Sequence, residues 1–181
     1  MYDTKIITAN SELSLANKKV VKKITQGRLW PIHNYNLYQR YSEIYPYAVK
    51  VLKWIDENEI KMERVNVELS FSDLLEYERD KLHTGVTKER VHRAVMFYQG
   101  LQNDFYKFSF EEMPKTSMPS KYFYHHDLNL SNIVFDMNDN IKLIDPNGFW
   151  VSDMFVNRSY IVNFNSIMWK AHLTLQRLED G

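Results

Sequence analysis

Apolar and polar residues follow two different periods along the first half of the chain, and these periods predict its elements. Alternation, or short apolar runs between turn residues, predicts five strands. The first three lie close enough together to form an antiparallel meander. A recurrence of apolar residues every three or four positions over residues 37–55 predicts a helix, which Pro46 kinks or divides. The five predicted strands are residues 5–8, 12–15, 19–24, 65–69 and 74–77.

The second half of the chain has a helical pattern interrupted by one hairpin. Thr87 has the side chain of an N-cap, and it precedes an apolar stripe that predicts a helix over residues 91–105. Two prolines and several serines predict a loop over residues 108–120. Two strands around an Asn-Asp-Asn turn, and then a last helix, complete the prediction, at residues 133–135, 141–144 and 161–178.

This order of elements predicts an α+β fold with two lobes. Residues 1–79 form a β-rich N-terminal lobe with a small antiparallel sheet, and residues 80–181 form a reduced, mostly helical C-terminal lobe.

Composition narrows the possible functions. The chain has no cysteine, which excludes disulfides, thiolate–zinc sites and cysteine nucleophiles. Its formal net charge is zero, so nothing in the overall charge indicates nucleic acid or an anionic membrane as a partner. No basic N-terminal leader and no apolar run of about 18 residues is present. We therefore expect a cytoplasmic protein with no membrane or nucleic-acid partner.

The residues that indicate chemistry cluster around the predicted hairpin. His125, Asp127 and Asn132 match the pattern H-x-D-x-x-x-x-N, and Asp145 follows an apolar strand with Gly148 three residues later. This set resembles the catalytic loop and the D-F-G segment of the protein-kinase-like superfamily. Within the superfamily, the residues of this motif are most similar to those of the aminoglycoside phosphotransferase and choline kinase branch. The I-D-P-N-G ending also resembles some phosphotransferase-like proteins of bacterial polysaccharide biosynthesis.

The resemblance implies a kinase-like fold that uses ATP and Mg²⁺. Asp127 would orient or accept the proton of an acceptor hydroxyl, and His125 would orient the backbone. Asn132 and Asp145 would bind magnesium, because both offer the hard oxygen ligands that this ion prefers. The hairpin between them folds the chain back so that the two ligands meet at one metal.

A kinase of this type also needs a lysine for the nucleotide phosphates and a carboxylate that holds the lysine. The run V-V-K-K-I in the third predicted strand offers Lys23, which an apolar residue follows as in the family. Lys22 is the alternative, because strand alternation lets only one of the two point into the cleft. Glu43, on the predicted helix, is the expected carboxylate partner.

The nucleotide would meet two further segments. No glycine precedes Gly27, so a glycine-rich phosphate loop is absent, and Ser11 with the neighbouring amide groups is the expected substitute. The second segment resembles the hinge that meets the adenine, and it comprises Glu76, Tyr77 and Glu78.

These features predict a kinase that phosphorylates a hydroxyl of a small molecule such as a sugar or an amino alcohol. A minimal protein kinase is an alternative, but only 33 residues follow Gly148 (181 − 148) and no A-P-E occurs among them. A nucleotide-binding pseudokinase or scaffold is another, although it would normally lack one of the three acidic or amide site residues. The short C-terminal part implies that residues 108–120, Phe149–Trp150, Asp153 or a second subunit of a homo-oligomer complete the acceptor pocket.

Overall fold

A computed structural model of the protein describes residues 4–7, 11–16, 19–24, 32–75, 82–112, 122–125, 128–146, 149–152 and 155–180. Its N-terminal part is a five-stranded sheet in the order β1-β2-β3-β5-β4. The first three strands form the predicted antiparallel meander, with β1 paired to β2 and β2 paired to β3. The strands of this sheet are β1 (Thr4–Ile7), β2 (Ser11–Ala16), β3 (Lys19–Ile24), β4 (Val51–Asp56) and β5 (Glu59–Glu63).

The predicted helix over residues 37–55 is only partly correct. Helix α1 spans Ile32–Ile44 and ends before Pro46, and the residues from Val51 onward form β4 instead. Strand β4 pairs with β5, in which Ile60 and Met62 are buried and the intervening residues are more exposed. Backbone pairing and burial of these side chains outweigh the helical period of the isolated sequence.

The chain leaves this sheet at residues 64–66. Strand β6 (Val67–Ser70) belongs to a second sheet, where it pairs with β8 (Ile133–Asp136), and β8 pairs with β9 (Ile141–Leu143). The strand predicted at residues 74–77 is wrong at its start, because helix α2 (Phe71–Leu74) lies there. Ser70 caps that helix by accepting a hydrogen bond from Asp73 N at 3.1 Å.

The crossing between the sheets therefore precedes the lobe boundary that the sequence predicts at residues 79–80. That boundary stays a prediction as a division of the chain into domains. Residues 76–81 lie outside the described part of the chain.

The helical lobe follows the sequence prediction more closely. Helix α3 spans Lys88–Glu111, and Thr87 Oγ1 caps it by accepting a hydrogen bond from Arg90 N at 3.1 Å. It extends past the predicted loop start at Phe108. Helix α4 spans Phe155–Asp180 and packs against α3. Two further strands that the sequence analysis did not predict pair antiparallel, β7 (Tyr122–His125) and β10 (Phe149–Ser152).

Aromatic side chains join α1 to the helical lobe. Tyr41 is fully buried, and its ring lies 5.6 Å from that of Phe105, 5.2 Å from that of Phe108 and 4.7 Å from that of Phe123, between ring centroids. The high aromatic content of the sequence thus fills a core between α1, α3 and β7. Among the described helices, none is long and apolar enough to cross a membrane.

Candidate active site

A cavity of about 560 Å³ lies between the five-stranded sheet and the β8–β9 hairpin. This volume is in the range of pockets that hold small molecules and cofactors. Apolar side chains of β2 and β5 line it together with the polar side chains of Asn132 and Asp145. The residues that line it include Leu13, Leu15, Val49, Met62, Glu63, Arg64, Val65, Asn66, Asn132, Ile144 and Asp145.

Local hydrogen bonds place Asn132 on the cavity wall. It ends a 3₁₀ turn, Leu130–Asn132, whose N-cap is Asn129. The side-chain oxygen of Asn129 accepts hydrogen bonds from Ser131 N at 2.9 Å and from Asn132 N at 3.2 Å. Asn132 is buried, and β8 begins at the next residue. The turn therefore fixes the position of Asn132 at the cavity wall.

The hairpin then returns the chain to the same wall. Asp136 Oδ1 accepts hydrogen bonds from Asn138 N at 2.8 Å and Asn140 N at 2.9 Å, and these bonds close the turn between β8 and β9. At the other end of β9, Ile144 N donates to Asn132 O at 2.8 Å. Asn132 and Asp145 line one cavity, and their binding of one metal stays a prediction.

His125 is tied to the same segment. Its side chain is fully buried, and its Nε2 donates a hydrogen bond to Ile144 O at 3.0 Å. Asp145, one residue later, has a φ of 53°, a left-handed backbone conformation that is uncommon for residues other than glycine. Such a conformation persists where the surrounding structure fixes it, and it is frequent at functional sites.

The buried ammonium group of Lys22 faces the carboxylate of Asp145. The side chain of Lys22 is only 2% exposed, and its Nζ forms an ion pair with Asp145 Oδ1. Lys23, on the opposite face of β3, is exposed and lies across from Glu12 and Glu59 on the neighbouring strands. The structure thus pairs Lys22, which the sequence offered as the alternative, with Asp145 of the cavity wall, and it places Lys23 on the opposite face of the strand.

Glu43 does not meet either lysine. It is exposed and pairs with Arg40 on the same helix at 3.5 Å. Ser11 is the first residue of β2, opposite Ile24, and its side chain is outside the described part of the structure. Four more predicted site residues also lie outside the described ranges and stay predictions: Glu76, Tyr77, Glu78 and Asp127.

The segment that borders the cavity between the two sheets was not predicted as part of the site from the sequence. Glu63, Arg64, Val65 and Asn66 all line it. Backbone hydrogen bonds fix both ends of the segment, from Glu63 N to Lys50 O at 2.9 Å and from Met137 N to Asn66 O at 3.0 Å. The alternation of Glu59–Glu63 after a turn-forming Asp-Glu-Asn was the signal that could have located it.

The donor set fits magnesium and a polyphosphate. Magnesium is usually held by one or two protein oxygen ligands, and substrate phosphates and water supply the rest. Asp145, the Asn132 amide and the buried Lys22 that pairs with Asp145 match this chemistry, and the apolar side chains that line the same cavity match a nucleobase. The described residues contain no group of three or more histidines or carboxylates that would suit a metal bound by protein alone.

Comparison with known proteins shows similarity at the level of the fold. No protein-family model and no curated protein matches the sequence. The kinase PK-1 of Cydia pomonella granulovirus is similar, with a TM-score of 0.56, 14% identity, and coverage of 83% of this chain and 54% of that chain. A crystal structure of WbdD is similar with a TM-score of 0.50, 15% identity, and coverage of 92% and 37% respectively.

A streptomycin–ATP complex of APH(2")-IIa has a TM-score of only 0.36, with 13% identity and coverage of 84% of this chain and 69% of that chain, which is too low to bear on the fold. The chain spans about half the length of the granulovirus kinase and less of WbdD. Together with the sheet order and the two-lobed arrangement, the first two similarities lead to one conclusion. The chain has a protein-kinase-like α+β fold.

Proposed function

We propose that the protein is an ATP- and magnesium-dependent phosphotransferase that acts on a hydroxyl of a small molecule. One observation carries the proposal. The buried Lys22 pairs with Asp145 on a cavity wall that also includes Asn132. A buried cation, a carboxylate and an amide oxygen at one place suit the charge and the metal of a nucleotide polyphosphate.

Apolar residues of the cavity would bind the nucleobase, and polar residues would bind the phosphates and magnesium. The apolar side chains, among them Leu13, Leu15 and Val65, would contact the nucleobase and exclude water from it. Lys22 would bind phosphate oxygens through its ammonium group. Asn132 and Asp145 would hold magnesium, which when bound neutralises the charge that develops on the transferred phosphoryl group.

Two residues of the catalytic loop would act next to the phosphates. Asp127 would orient the acceptor hydroxyl and accept its proton. The burial of His125 and its hydrogen bond to Ile144 O support an orienting role for this histidine, because a side chain shielded from solvent has no direct path for exchanging a proton with water. Phosphoryl transfer of this kind depends mainly on positioning and on electrostatic stabilisation.

A nucleotide-consumption screen tests the proposal. Sugars, amino alcohols, aminoglycosides and protein substrates would be offered with ATP and magnesium to the wild type and to Asp127→Asn. We expect turnover with at least one class of acceptor, and a fall of about 10²-fold or more in the variant with Mg-ATP affinity nearly unchanged.

Three outcomes of the screen would separate the alternatives. A wild type that binds Mg-ATP but transfers phosphate to no acceptor, protein substrates included, would be a nucleotide-binding pseudokinase. Transfer to a protein substrate alone would identify a minimal protein kinase. A parallel fall of turnover and affinity in Asp127→Asn would show that Asp127 supports the loop rather than the reaction.

A further inference from the structure

The segment over residues 46–49 lies between the helical lobe and β9, the strand that leads to Asp145. Leu143 N donates a hydrogen bond to Tyr47 O at 2.8 Å, and Val49 N donates to Leu143 O at 3.0 Å. Ala48 forms an isolated parallel bridge with Leu143. Both backbone groups of Leu143 are therefore bonded to this segment, two residues before Asp145.

The side chain of Tyr47 joins the same segment to α3. Its hydroxyl donates to Asp104 Oδ2 at 2.7 Å, because a carboxylate can only accept. Its one proton is then used, so the hydroxyl of Tyr41, 2.6 Å away, donates to Tyr47. The Tyr47 ring also packs edge-on against Phe97, with centroids 4.9 Å apart. Burial raises the pKa of Tyr47, and the phenol therefore remains a neutral donor.

These contacts form a continuous path from α3 to the proposed metal ligand. Asp104 holds the Tyr47 hydroxyl, the Tyr47 backbone holds Leu143, and Leu143 precedes Asp145 by two residues. Asp145 has a left-handed backbone, which the segment ahead of it must hold in place. A change in the position of Tyr47 would be transmitted to Asp145 through the two hydrogen bonds of Leu143.

We infer that Tyr47, anchored by Asp104, is a positioning residue for Asp145 and so sets the affinity of the site for magnesium. The inference rests on the proposed function. It assigns a role in metal binding to two side chains that do not line the cavity. Groups behind a metal ligand commonly tune the ligand's orientation and affinity in this way.

A matched pair of variants tests the inference. Tyr47→Phe keeps the ring and removes the hydroxyl bonded to the Asp104 carboxylate. Tyr45→Phe removes a hydroxyl that donates to Asp104 O at 3.1 Å, so it also removes one hydrogen bond to α3. The backbone of Tyr45 bonds to Tyr41 and Ala48 and not to Leu143. Only Tyr47→Phe should therefore alter the position of Asp145.

Magnesium dependence of nucleotide binding is the main readout. Calorimetric titration with ATP at increasing magnesium should show that Tyr47→Phe raises the half-saturating magnesium concentration about threefold to tenfold, the range expected for one hydrogen bond. Binding of ATP without magnesium should change by less than about twofold. Tyr45→Phe should match the wild type in both. Asp104→Asn, which keeps an acceptor oxygen for Tyr47, should lie nearer to the wild type than Asp104→Ala.

Amide hydrogen exchange gives a second readout that needs no ligand. We expect faster exchange at Leu143 and Ile144 in Tyr47→Phe than in Tyr45→Phe at equal global stability. Equal magnesium dependence and equal exchange in the two variants would overturn the inference while the proposed function stands. A wild type with no magnesium-dependent nucleotide binding would instead overturn the proposed function, and the inference with it.

Discussion

Lys22 and Asp145 are 123 residues apart in the chain, yet they form an ion pair beside the cavity that Asp145 lines. The lysine is almost completely buried, whereas the aspartate is 37% exposed. A buried ammonium group needs a compensating charge or polar ligands, because its desolvation is unfavourable. The pair therefore connects the sheet of the N-terminal part to the hairpin at the point where we propose that phosphate and magnesium bind.

The first prediction compares the two adjacent lysines. Lys22→Met keeps most of the buried side chain and removes the charge, and it should weaken Mg-ATP binding by about tenfold to 10²-fold, since a charge-assisted hydrogen bond contributes about 1.5–3 kcal/mol. Lys23→Met should change the affinity by less than about twofold, because Lys23 is exposed on the other face of β3. Calorimetric titration measures both. Greater damage from the Lys23 variant would show that the nucleotide approaches the opposite face of the sheet.

The second prediction separates the charge of Asp145 from its backbone. Asp145→Asn should abolish the magnesium dependence of nucleotide binding and lower the thermal midpoint, because the buried Lys22 loses the charge that compensates its desolvation, although asparagine itself tolerates a φ of 53°. Asp145→Ala should lose the same magnesium dependence and in addition about 1 kcal/mol of unfolding free energy, since alanine is less favourable in the left-handed region. Unaltered magnesium dependence in Asp145→Asn would remove this residue from the metal site.

Local signals made one part of the site predictable from the sequence. The pattern from His125 to Asn132, the apolar strands and the turn residues between them located the β8–β9 hairpin correctly. Asp136, which closes the turn through its side chain, and Thr87, which caps α3, act on residues two to four positions away. Such short-range chemistry can be recognised in a single sequence.

The remaining parts depend on contacts between distant segments. Apolar residues of β4 such as Leu52 and Ile55 are exposed. Their spacing continued the helical period of the preceding residues, although it did not reflect a buried helix face, and so the strand was predicted as helix. The choice between the two lysines required the pairing of β2 with β3. Lys22 lies opposite Leu13, which lines the cavity, whereas Lys23 lies opposite Glu12. Cross-strand partners share one face of a sheet, and the register that decides the partner is not visible in the alternation of one strand.

The third prediction tests whether the cavity is the nucleotide site. Leu13→Trp adds a large ring on the face of β2 that lines the cavity, and it should weaken ATP binding by at least about tenfold by filling the space. Ser14→Trp is the matched control, because the adjacent residue points to the opposite face of the same strand. Its ATP affinity should stay within about twofold of the wild type. Equal affinities of the two variants would place the nucleotide elsewhere.

The last prediction concerns the ion pairs that hold the hairpin to α3. Arg90 donates to both carboxylate oxygens of Glu68, at 2.9 and 3.0 Å, and to Asp139 Oδ1 at 2.8 Å. The hydrogen bond from Arg90 lowers the pKa of Glu68, and hydrogen bonds from Arg93 and then Arg90 lower the pKa of Asp139. The ordinary pKa values of these groups are 4.5 and 3.8, so the pairs contribute their full stabilisation above about pH 5.

That contribution is lost as the pH falls through the lowered pKa values of the folded state. In this range the unfolded chain, whose carboxyl groups have the higher pKa values, binds protons more readily than the folded protein does. We expect the unfolding free energy, measured with urea, to fall between about pH 5 and pH 3 in the wild type. Arg90→Gln should make this slope shallower, since it removes the cation that lowers the pKa of Glu68 and one of the two cations that lower the pKa of Asp139. Lys88→Gln breaks an exposed pair with Glu179 and should leave the slope unchanged, because exposed pairs contribute little. Identical slopes in the wild type and Arg90→Gln would show that other carboxylates govern the acid sensitivity of the fold.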